Sequence, residues 1–424
     1  MSTMTTPTDE AAAGVVAYLK DTSSSSDPFP AYRQLREAAP VYWSDQLGYW
    51  IVTGHAEAEA CLRDPRMSRR LAGQRQFGWV ADPDDPPEVQ RAVRSWLDTI
   101  LNFDPPDHTR LRSIMSRAFT IKAISAWKAR TEAVVDEVLA RITDRDAFDL
   151  LQEVTYPIPE IVICELLGVP AEDHDMWKQW SSGMNQAAIF AGRNKSGDAL
   201  PVEARKIAQA SLMKWYDYFQ DLVSKRQGGD GNDLVSILAR LEEEGDRLSE
   251  SELVGTLTLL IGAGHDTTAN LIANGMLAFM RNPDQYALLR DDPSLAAGAV
   301  EEVLRYDGSA RGQPRVATDD FVVGGQTIHA GDTVMVSVNA ANRDPARFAD
   351  PERFDITRRD TGHLAFASGI HFCLGAALAR MEAEVAFRKI AQLDTVFELT
   401  GEPLKYKGTH GRNLTALPVR QRPA

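Results

Sequence analysis

Cysteine is scarce in this 424-residue chain, where Cys61, Cys164 and Cys373 stand far apart and form no C-x-x-C pair. An odd, scattered set argues against a disulfide framework and a cysteine-rich zinc site, and it fits a reducing cytoplasm. Basic residues are also outnumbered, since 46 Lys and Arg face 60 Asp and Glu for a net charge of −14. That sign disfavours nucleic acid and anionic membranes as main partners.

Two further features are lacking: a signal peptide and an uninterrupted membrane span. The first twenty residues show no basic region followed by an apolar core, and residues 1–27 predict a flexible lead-in to a body that starts at Pro28. The apolar region 253–280 is long enough to cross a bilayer. However, a charge such as Asp266 at its centre would cost about 3 kcal/mol in lipid. We therefore expect a buried helix of a soluble protein with no membrane anchor.

What the sequence does contain is helical periodicity between a few short strands. Alternation predicts a hairpin from 41–45 and 48–54, and a second β region from 321–325 and 333–339 with its turn at 330–332. Helices are predicted at 108–120, 123–143, 151–167, 202–225, 233–243, 250–281, 296–306 and 375–393. The fold class is therefore mostly α with a small antiparallel β part. Because the β pieces flank the helices, we expect one interlocked domain over 28–424.

The longest predicted helix carries an unusual interruption. Ser249 and Glu252 form an S-x-x-E capping box before it, and its residues 250–281 would span roughly 48 Å. The stretch GAGHDTT at 262–268 places two glycines and several polar residues mid-helix, at a cost of about 2 kcal/mol for the glycines. Such a violation inside an apolar helix points to function. Close helix packing around a satisfied Asp266 is the alternative explanation.

The most informative cysteine lies in FASGIHFCLG, residues 366–375, directly before a predicted helix. A cysteine nucleophile would need a base, and His371 is near, but no residue that would orient this base is evident. Zinc would need three or four ligands, and only two are local. A haem thiolate fits better, because helix N–H groups would favour the charged sulfur. Gly369 and Gly375 would let the backbone approach a flat macrocycle, and Phe366 would exclude water.

This loop resembles the cysteine-ligand loop of the cytochrome P450 superfamily, F-G-x-G-x-H-x-C-L-G. The resemblance implies haem b with Cys373 as thiolate ligand and His371 as a partner of a haem propionate. Ala367 stands where glycine is usual, at a cost of about 1 kcal/mol if that backbone needs a positive φ.

Other family motifs follow in the right order along roughly residues 28–420. EEVLRYDG and PERFD supply Glu302, Arg305 and Arg353, which in the family form a buried ion-pair network behind the haem. DPPDHTRLRS and QPRVATDD supply further propionate partners, namely His108, Arg112 and Arg315.

The interrupted helix resembles the family's oxygen-activation helix, A-G-x-D-T-T. By resemblance, Thr267 donates a hydrogen bond to the oxygen being activated, and Asp266 delivers protons for O–O bond cleavage. Ala263 and Gly264 would then lie beside the haem, and small side chains there leave room for a bulky substrate.

The resemblance implies the family's triangular-prism-like single domain with a long central helix, in the soluble bacterial class. We expect a cytoplasmic monomer that takes electrons from a ferredoxin and its reductase. Such a monooxygenase hydroxylates, epoxidises or couples a small organic molecule, here a secondary metabolite by analogy. A docking patch of Arg110, Arg117 and Arg380 for the ferredoxin is a hypothesis.

Two alternatives stay open. The first is a haem-thiolate peroxygenase or oxidase without oxygen insertion, against which the pair Asp266 and Thr267 favours oxygen activation. The second is a non-enzymatic haem protein that binds a gas or another ligand, which would need no such pair.

The substrate pocket is predicted from family position alone. Segments 66–103 and 180–205 would line it. The candidate contacts are Phe77, Trp79, Met184, Phe190, Leu259, Ala263 and Leu414.

Overall fold

The computed structural model describes residues 6–20, 27–77, 80, 82–174, 176, 202–243, 248–407 and 413–423. The predicted pocket residues Trp79, Met184 and Phe190 lie outside this described part of the chain.

The chain divides into two compact units, each built from discontinuous segments. One contains Met1–Ser68, Thr131–Ile158 and Thr267–Ala424, and the other contains Arg69–Arg130 and Pro159–Asp266. We call them the cysteine unit and the helical unit. Segments of the two units alternate along the chain, so a single linker between two consecutive domains does not describe the division. The single catalytic domain over 28–424 remains a prediction.

Helices dominate the described residues. The α-helices are α1 Pro7–Lys20, α2 Phe29–Ala38, α3 His55–Arg63, α4 Arg69–Phe77, α5 Pro87–Leu97, α6 Asp107–Ala118, α7 Ile121–Ala126, α8 Lys128–Ala140, α9 Pro157–Leu167, α10 Val202–Arg226, α11 Leu234–Glu243, α12 Glu250–Arg281, α13 Pro283–Asp291, α14 Ala296–Asp307, α15 Val338–Ala341 and α16 Ala376–Ala391. The strands are β1 Val41–Ser44, β2 Tyr49–Val52, β3 Met67–Ser68, β4 Ala147–Asp149, β5 Gly312–Ala317, β6 Phe321–Val323, β7 Gln326–Ile328, β8 Thr333–Ser337, β9 Thr395–Leu399, β10 Tyr406–Lys407, β11 Asn413–Leu414 and β12 Pro418–Pro423. The predicted fold class, mostly α with a small antiparallel β part, is confirmed.

The N-terminal prediction is wrong for residues 7–20. They form α1 rather than a flexible lead-in, and Val15 and Val16 are buried beside Tyr32 and Leu35 of α2. Their apolar spacing in AAAGVVAYLK is that of an amphipathic helix, which a polar beginning concealed.

The predicted second β region is also different from the observed one. Strand β6 pairs with β7, not with β8, and the turn between them contains Gly324 and Gly325 at positive φ. Strand β8 instead pairs parallel with β2 of the first hairpin and antiparallel with β5. The main sheet of the cysteine unit therefore has the order β1-β2-β8-β5-β3, and a separate sheet has the order β4-β12-β9.

Helix α12 runs unbroken over 32 residues and is held near each end. The Ser249 N–H donates to the Glu252 carboxylate at 2.9 Å, and the Glu252 N–H donates to Ser249 Oγ at 3.2 Å, as the capping box predicts. In the cysteine unit, a Cβ on Gly275 would collide with the ring of Phe387 in α16, so glycine permits this close contact. Among the described residues, no helix is both long and apolar enough to cross a membrane.

A buried carboxyl in α16 gives the first prediction, which concerns pH and stability. Glu382 is 1% exposed, and burial raises its pKa to about 8. The folded protein therefore keeps a proton that the unfolded chain loses near its ordinary pKa. We expect the free energy of unfolding to fall as pH rises through this window, by up to about 1.4 kcal/mol per pH unit from this group.

Urea unfolding at several pH values between about 5 and 8 measures how the free energy of unfolding changes with pH. Glu382→Gln should flatten the slope, whereas Glu402→Gln, at an exposed position, should leave it unchanged. Equal slopes in the wild type and both variants would contradict the assignment.

Candidate active site

The loop around Cys373 is tied together by its own backbone. The Cys373 N–H donates to the Phe366 carbonyl at 2.9 Å, and the Ala367 N–H donates to the Leu364 carbonyl at 2.8 Å. Helix α16 begins three residues after Cys373. The sulfur therefore belongs to a segment that leads directly into a helix N-terminus, where unpaired N–H groups and the helix dipole favour an anion.

Two residues of this loop adopt the left-handed conformation. Ala367 has φ +59°, so the alanine that departs from the family motif bears a strain of about 1 kcal/mol. Gly369 has φ +73°, and a Cβ there would lie 3.0 Å from the Leu62 carbonyl oxygen of α3. The positive φ and the contact with α3 both require glycine at 369, and its approach to a macrocycle remains a prediction. A Cβ on Gly375 would meet nothing within 4 Å.

The three cysteines differ in their surroundings. Cys61 and Cys164 are buried, and burial raises the pKa of each thiol to about 12, so both stay protonated. Cys373 is only partly buried and precedes a helix. Of the three, Cys373 has the surroundings that suit a thiolate ligand for a metal.

The cysteine unit also supplies a deeply buried cation. Arg315 on β5 is 1% exposed, and its Nη1 donates to the Pro314 carbonyl at 2.9 Å. Burying a guanidinium is costly unless an anionic group or several acceptors lie near it. This donor suits the predicted contact with a haem propionate, and His371 in the same unit closes the short 3-10 turn before Cys373.

The helical unit places the other two predicted propionate partners on one helix. His108 lies in the first turn of α6 and is 2% exposed, with Arg112 one turn further on. Burial, together with the positive charge of Arg112, lowers the pKa of His108. The imidazole is therefore neutral at pH 7 and can donate one hydrogen bond.

Helix α12 exposes a stripe in the middle of an otherwise buried surface. Ala263 and Thr267, four residues apart, are exposed, whereas Ile261 and Thr268 are buried. Asp266 is half-buried, with its Oδ1 3.8 Å from His265 Nδ1. The predicted acid and alcohol thus lie at an accessible part of an apolar helix.

The missing side chain of Gly264 also has a role in packing, and the predicted position of this residue beside a haem remains a prediction. A Cβ there would lie 3.1 Å from Ile163 of α9, so this glycine allows packing within the helical unit. Gly262 has open space at the corresponding position.

The buried ion-pair network is present, but its predicted third member is wrong. Glu302 and Arg305 are each 1% exposed and form two hydrogen bonds of 2.7 and 2.8 Å. The second guanidinium on Glu302 belongs to Arg358, whose Nε lies 3.1 Å from Oε2. Arg353 has an exposed side chain and contributes only its carbonyl oxygen, which accepts from Arg305 at 3.0 Å. The chain turns after Arg353, so the arginine five residues later reaches the carboxylate.

Three of the predicted substrate contacts, Leu259, Ala263 and Leu414, have side chains among the described residues. Leu259 is half-buried one turn before Ala263, on the same face of α12. Leu414 is fully buried in the β10–β11 pair and offers no surface to a ligand. The side chain of Phe77 lies outside the described residues.

A cavity of about 340 Å³ lies within the helical unit, inside the segment predicted to line the pocket. Eight of its twelve lining residues are polar or charged. Its walls consist of Arg70, Gln74, Asp82, Pro83, Asp85, Gln90, Val93, Arg94, Leu97, Asp98, Asn102 and Phe103.

A family model described as cytochrome P450 matches residues 61–400. The chain is 39% identical to a vitamin D(3) 25-hydroxylase from Pseudonocardia autotrophica, with 94% of each chain covered. It is 37% identical to the 6-deoxyerythronolide B hydroxylase of Saccharopolyspora erythraea, with 88% of this chain and 90% of that protein covered. The crystal structure of CalO2 matches with a TM-score of 0.85 at 30% identity, covering 95% of this chain and 98% of that one.

The fold and the cysteine loop define a class of oxygenases that hold a haem iron by a cysteine. The chain belongs to the cytochrome P450 family and is a P450 monooxygenase.

The corrected ion-pair network gives a prediction about stability. Arg358→Ala should lower the free energy of unfolding by about 2 kcal/mol, because it removes a charged donor from the buried Glu302 carboxylate. Arg353→Ala, at an exposed side chain, should change it by less than about 0.5 kcal/mol. Urea unfolding of both variants tests the assignment, and a larger loss for Arg353→Ala would contradict it.

Proposed function

We propose that Cys373 is the thiolate ligand of haem b in a monooxygenase that acts on an organic secondary metabolite. The observation that carries this is the position of the partly buried thiol, in a self-bonded loop directly before α16. When bound, a thiolate-ligated haem supplies the chemistry that activates dioxygen for insertion into a substrate.

The remaining residues of the cysteine loop and β5 bind and protect this group. Phe366 shields the sulfur from water, and its carbonyl already accepts the Cys373 N–H. Within the cysteine unit Arg315 and His371, and separately within the helical unit His108 and Arg112, are the donors that we assign to the propionates. The buried ring of His108 suits it for donating a hydrogen bond to a carboxylate.

Asp266 and Thr267 supply and transfer protons. The Thr267 hydroxyl holds a proton at the accessible stripe of α12, and the half-buried Asp266 carboxyl exchanges protons with water. An acid beside an alcohol in an apolar helix provides the donor that reductive oxygen chemistry requires.

The substrate class follows from the stripe and from the relatives. Ala263 and Gly262 leave open space on α12, which suits a bulky molecule. Two relatives are by name hydroxylases of vitamin D(3) and of 6-deoxyerythronolide B. We propose hydroxylation of a comparably large, largely apolar substrate as the main reaction, with epoxidation or coupling as variants of it.

The electron donor is a ferredoxin with its reductase, acting on a cytoplasmic monomer. The three-arginine docking patch is weakened as a hypothesis. Within the helical unit Arg110 pairs with Glu252, and within the cysteine unit Arg380 pairs with Glu301 at 2.6 Å, so both charges are compensated.

The absorption spectrum of the reduced protein with carbon monoxide tests the ligand. We expect a strongly red-shifted Soret band in the wild type, because a thiolate donates electron density to the iron. Cys373→Ser should lose this band, whereas Cys164→Ser, at a buried thiol, should keep it. A wild-type band at the position of histidine-ligated haem would contradict the assignment.

Proton delivery gives a separate prediction. Thr267→Ala should lower product formed per electron consumed by roughly 10- to 100-fold and divert electrons to hydrogen peroxide, because the hydroxyl donor is gone. Thr267→Ser keeps the hydroxyl and should restore most of the coupling. Product yield, hydrogen peroxide yield and consumption of the electron donor, measured in the same reaction, test this prediction. An unchanged product yield in Thr267→Ala would refute the role of Thr267 as a proton donor.

A further inference from the structure

A second carboxylate lies next to Glu302 on α14 and points to the cysteine loop instead. Glu301 contacts Arg380 through both carboxylate oxygens, with Nε 2.6 Å and Nη2 3.1 Å away. His363 Nε2 lies 3.2 Å from Glu301 Oε2, and the His363 side chain is only 2% exposed. Glu301 therefore binds His363, which precedes the cysteine loop, and Arg380, which lies in the second turn of α16.

The protonation of this cluster follows from its hydrogen bonds. His363 Nδ1 accepts the Ala365 N–H at 3.3 Å, which leaves Nε2 as the ring nitrogen that donates to Glu301. Burial of Glu301 opposes ionisation, but the hydrogen bonds from His363 and Arg380 outweigh it and lower its pKa to about 2. Glu301 is thus a carboxylate across the physiological range and holds both partners.

Both partners of Glu301 lie against Phe366. The Arg380 guanidinium carbon is 4.5 Å from the centre of the Phe366 ring, and the His363 ring centre is 6.1 Å from it. The Phe366 carbonyl accepts the Cys373 N–H, and the next residue is Ala367 in its left-handed conformation. Holding the Phe366 ring therefore restrains the first residue of the loop, immediately before its strained turn.

We propose that Glu301, His363 and Arg380 form a clamp that positions Phe366 and thereby keeps the Cys373 loop in the conformation needed to hold the iron. The inference rests on the proposed function, since it assigns positioning residues to the Cys373 ligand. The neighbouring Glu302 serves the segment around Arg358, so the two adjacent carboxylates of α14 have separate tasks.

The test follows the loss of thiolate ligation in the haem-loaded protein. The reduced carbon monoxide complex is held in urea below its unfolding transition, and the decay of the red-shifted Soret band is timed. Glu301→Gln and Arg380→Gln should each speed the decay about fivefold, because each releases Phe366. Glu132→Gln is the matched control, since Glu132 pairs at 2.6 Å with Arg388, which lies about two turns beyond Arg380 on the same helix α16. It should decay like the wild type.

Two comparisons separate positioning from other effects. Glu301→Gln and Arg380→Gln change the net charge in opposite senses, so a purely electrostatic effect would move their decay rates in opposite directions. In a Phe366→Leu background, Glu301→Gln should have little further effect if the clamp acts through the ring. If Glu301→Gln does not fold, Arg380→Lys keeps the charge without the fork and should also accelerate decay.

Decay of Glu301→Gln at the rate of Glu132→Gln, opposite shifts in the two charge variants, or an undiminished effect in Phe366→Leu would each overturn the clamp. A wild-type protein that shows no red-shifted band would overturn the proposed function itself, and the clamp with it. The two failures are thus distinguishable by the wild-type spectrum alone.

Discussion

The packing of the cysteine unit depends on the hydrogen bonds that the buried carboxylate of Glu302 accepts. This carboxylate accepts two hydrogen bonds from Arg305, one from Arg358 and one from the Asp355 N–H at 2.8 Å. Arg305 in turn donates to carbonyl groups of the segment that contains Pro351 and Arg353. A single ionised group at 1% exposure thereby fixes a long irregular stretch onto α14. Such a charge is tolerable only because every acceptor position is used, so the loss of one donor leaves a costly deficit.

The parts of the fold and site that the sequence predicted were those encoded by neighbouring residues. The capping box at Ser249 and Glu252 placed the start of α12, because both partners lie within one turn. The resemblance singled out Cys373, and the structure places it in a loop bonded to itself over seven residues. Alanine at 367 would bear a cost only if its backbone had a positive φ, and the backbone has one.

What could not be predicted depends on residues that are distant in sequence. The pairing of β8 with β2 joins segments almost three hundred residues apart, and alternation within each strand does not identify its partner. The choice of Arg358 over Arg353 depends on a turn of the backbone that the motif PERFD does not describe. Polar residues at the beginning of the chain hid α1, whose burial depends on α2 and β2.

Helix α12 is fixed near both ends but accessible in between. A Cβ on Gly255 would collide with the Ser95 carbonyl of α5, and one on Gly275 with Phe387 of α16, so neither glycine can separate from its neighbour without opening a void. Between them lies the polar stretch with Ala263 and Thr267 exposed. The two contacts lie twenty residues apart, about 30 Å along the helix axis. The axial position of the residues between them is therefore set by packing outside the polar stretch, so substitutions within 262–268 would change the side chains there without sliding the helix.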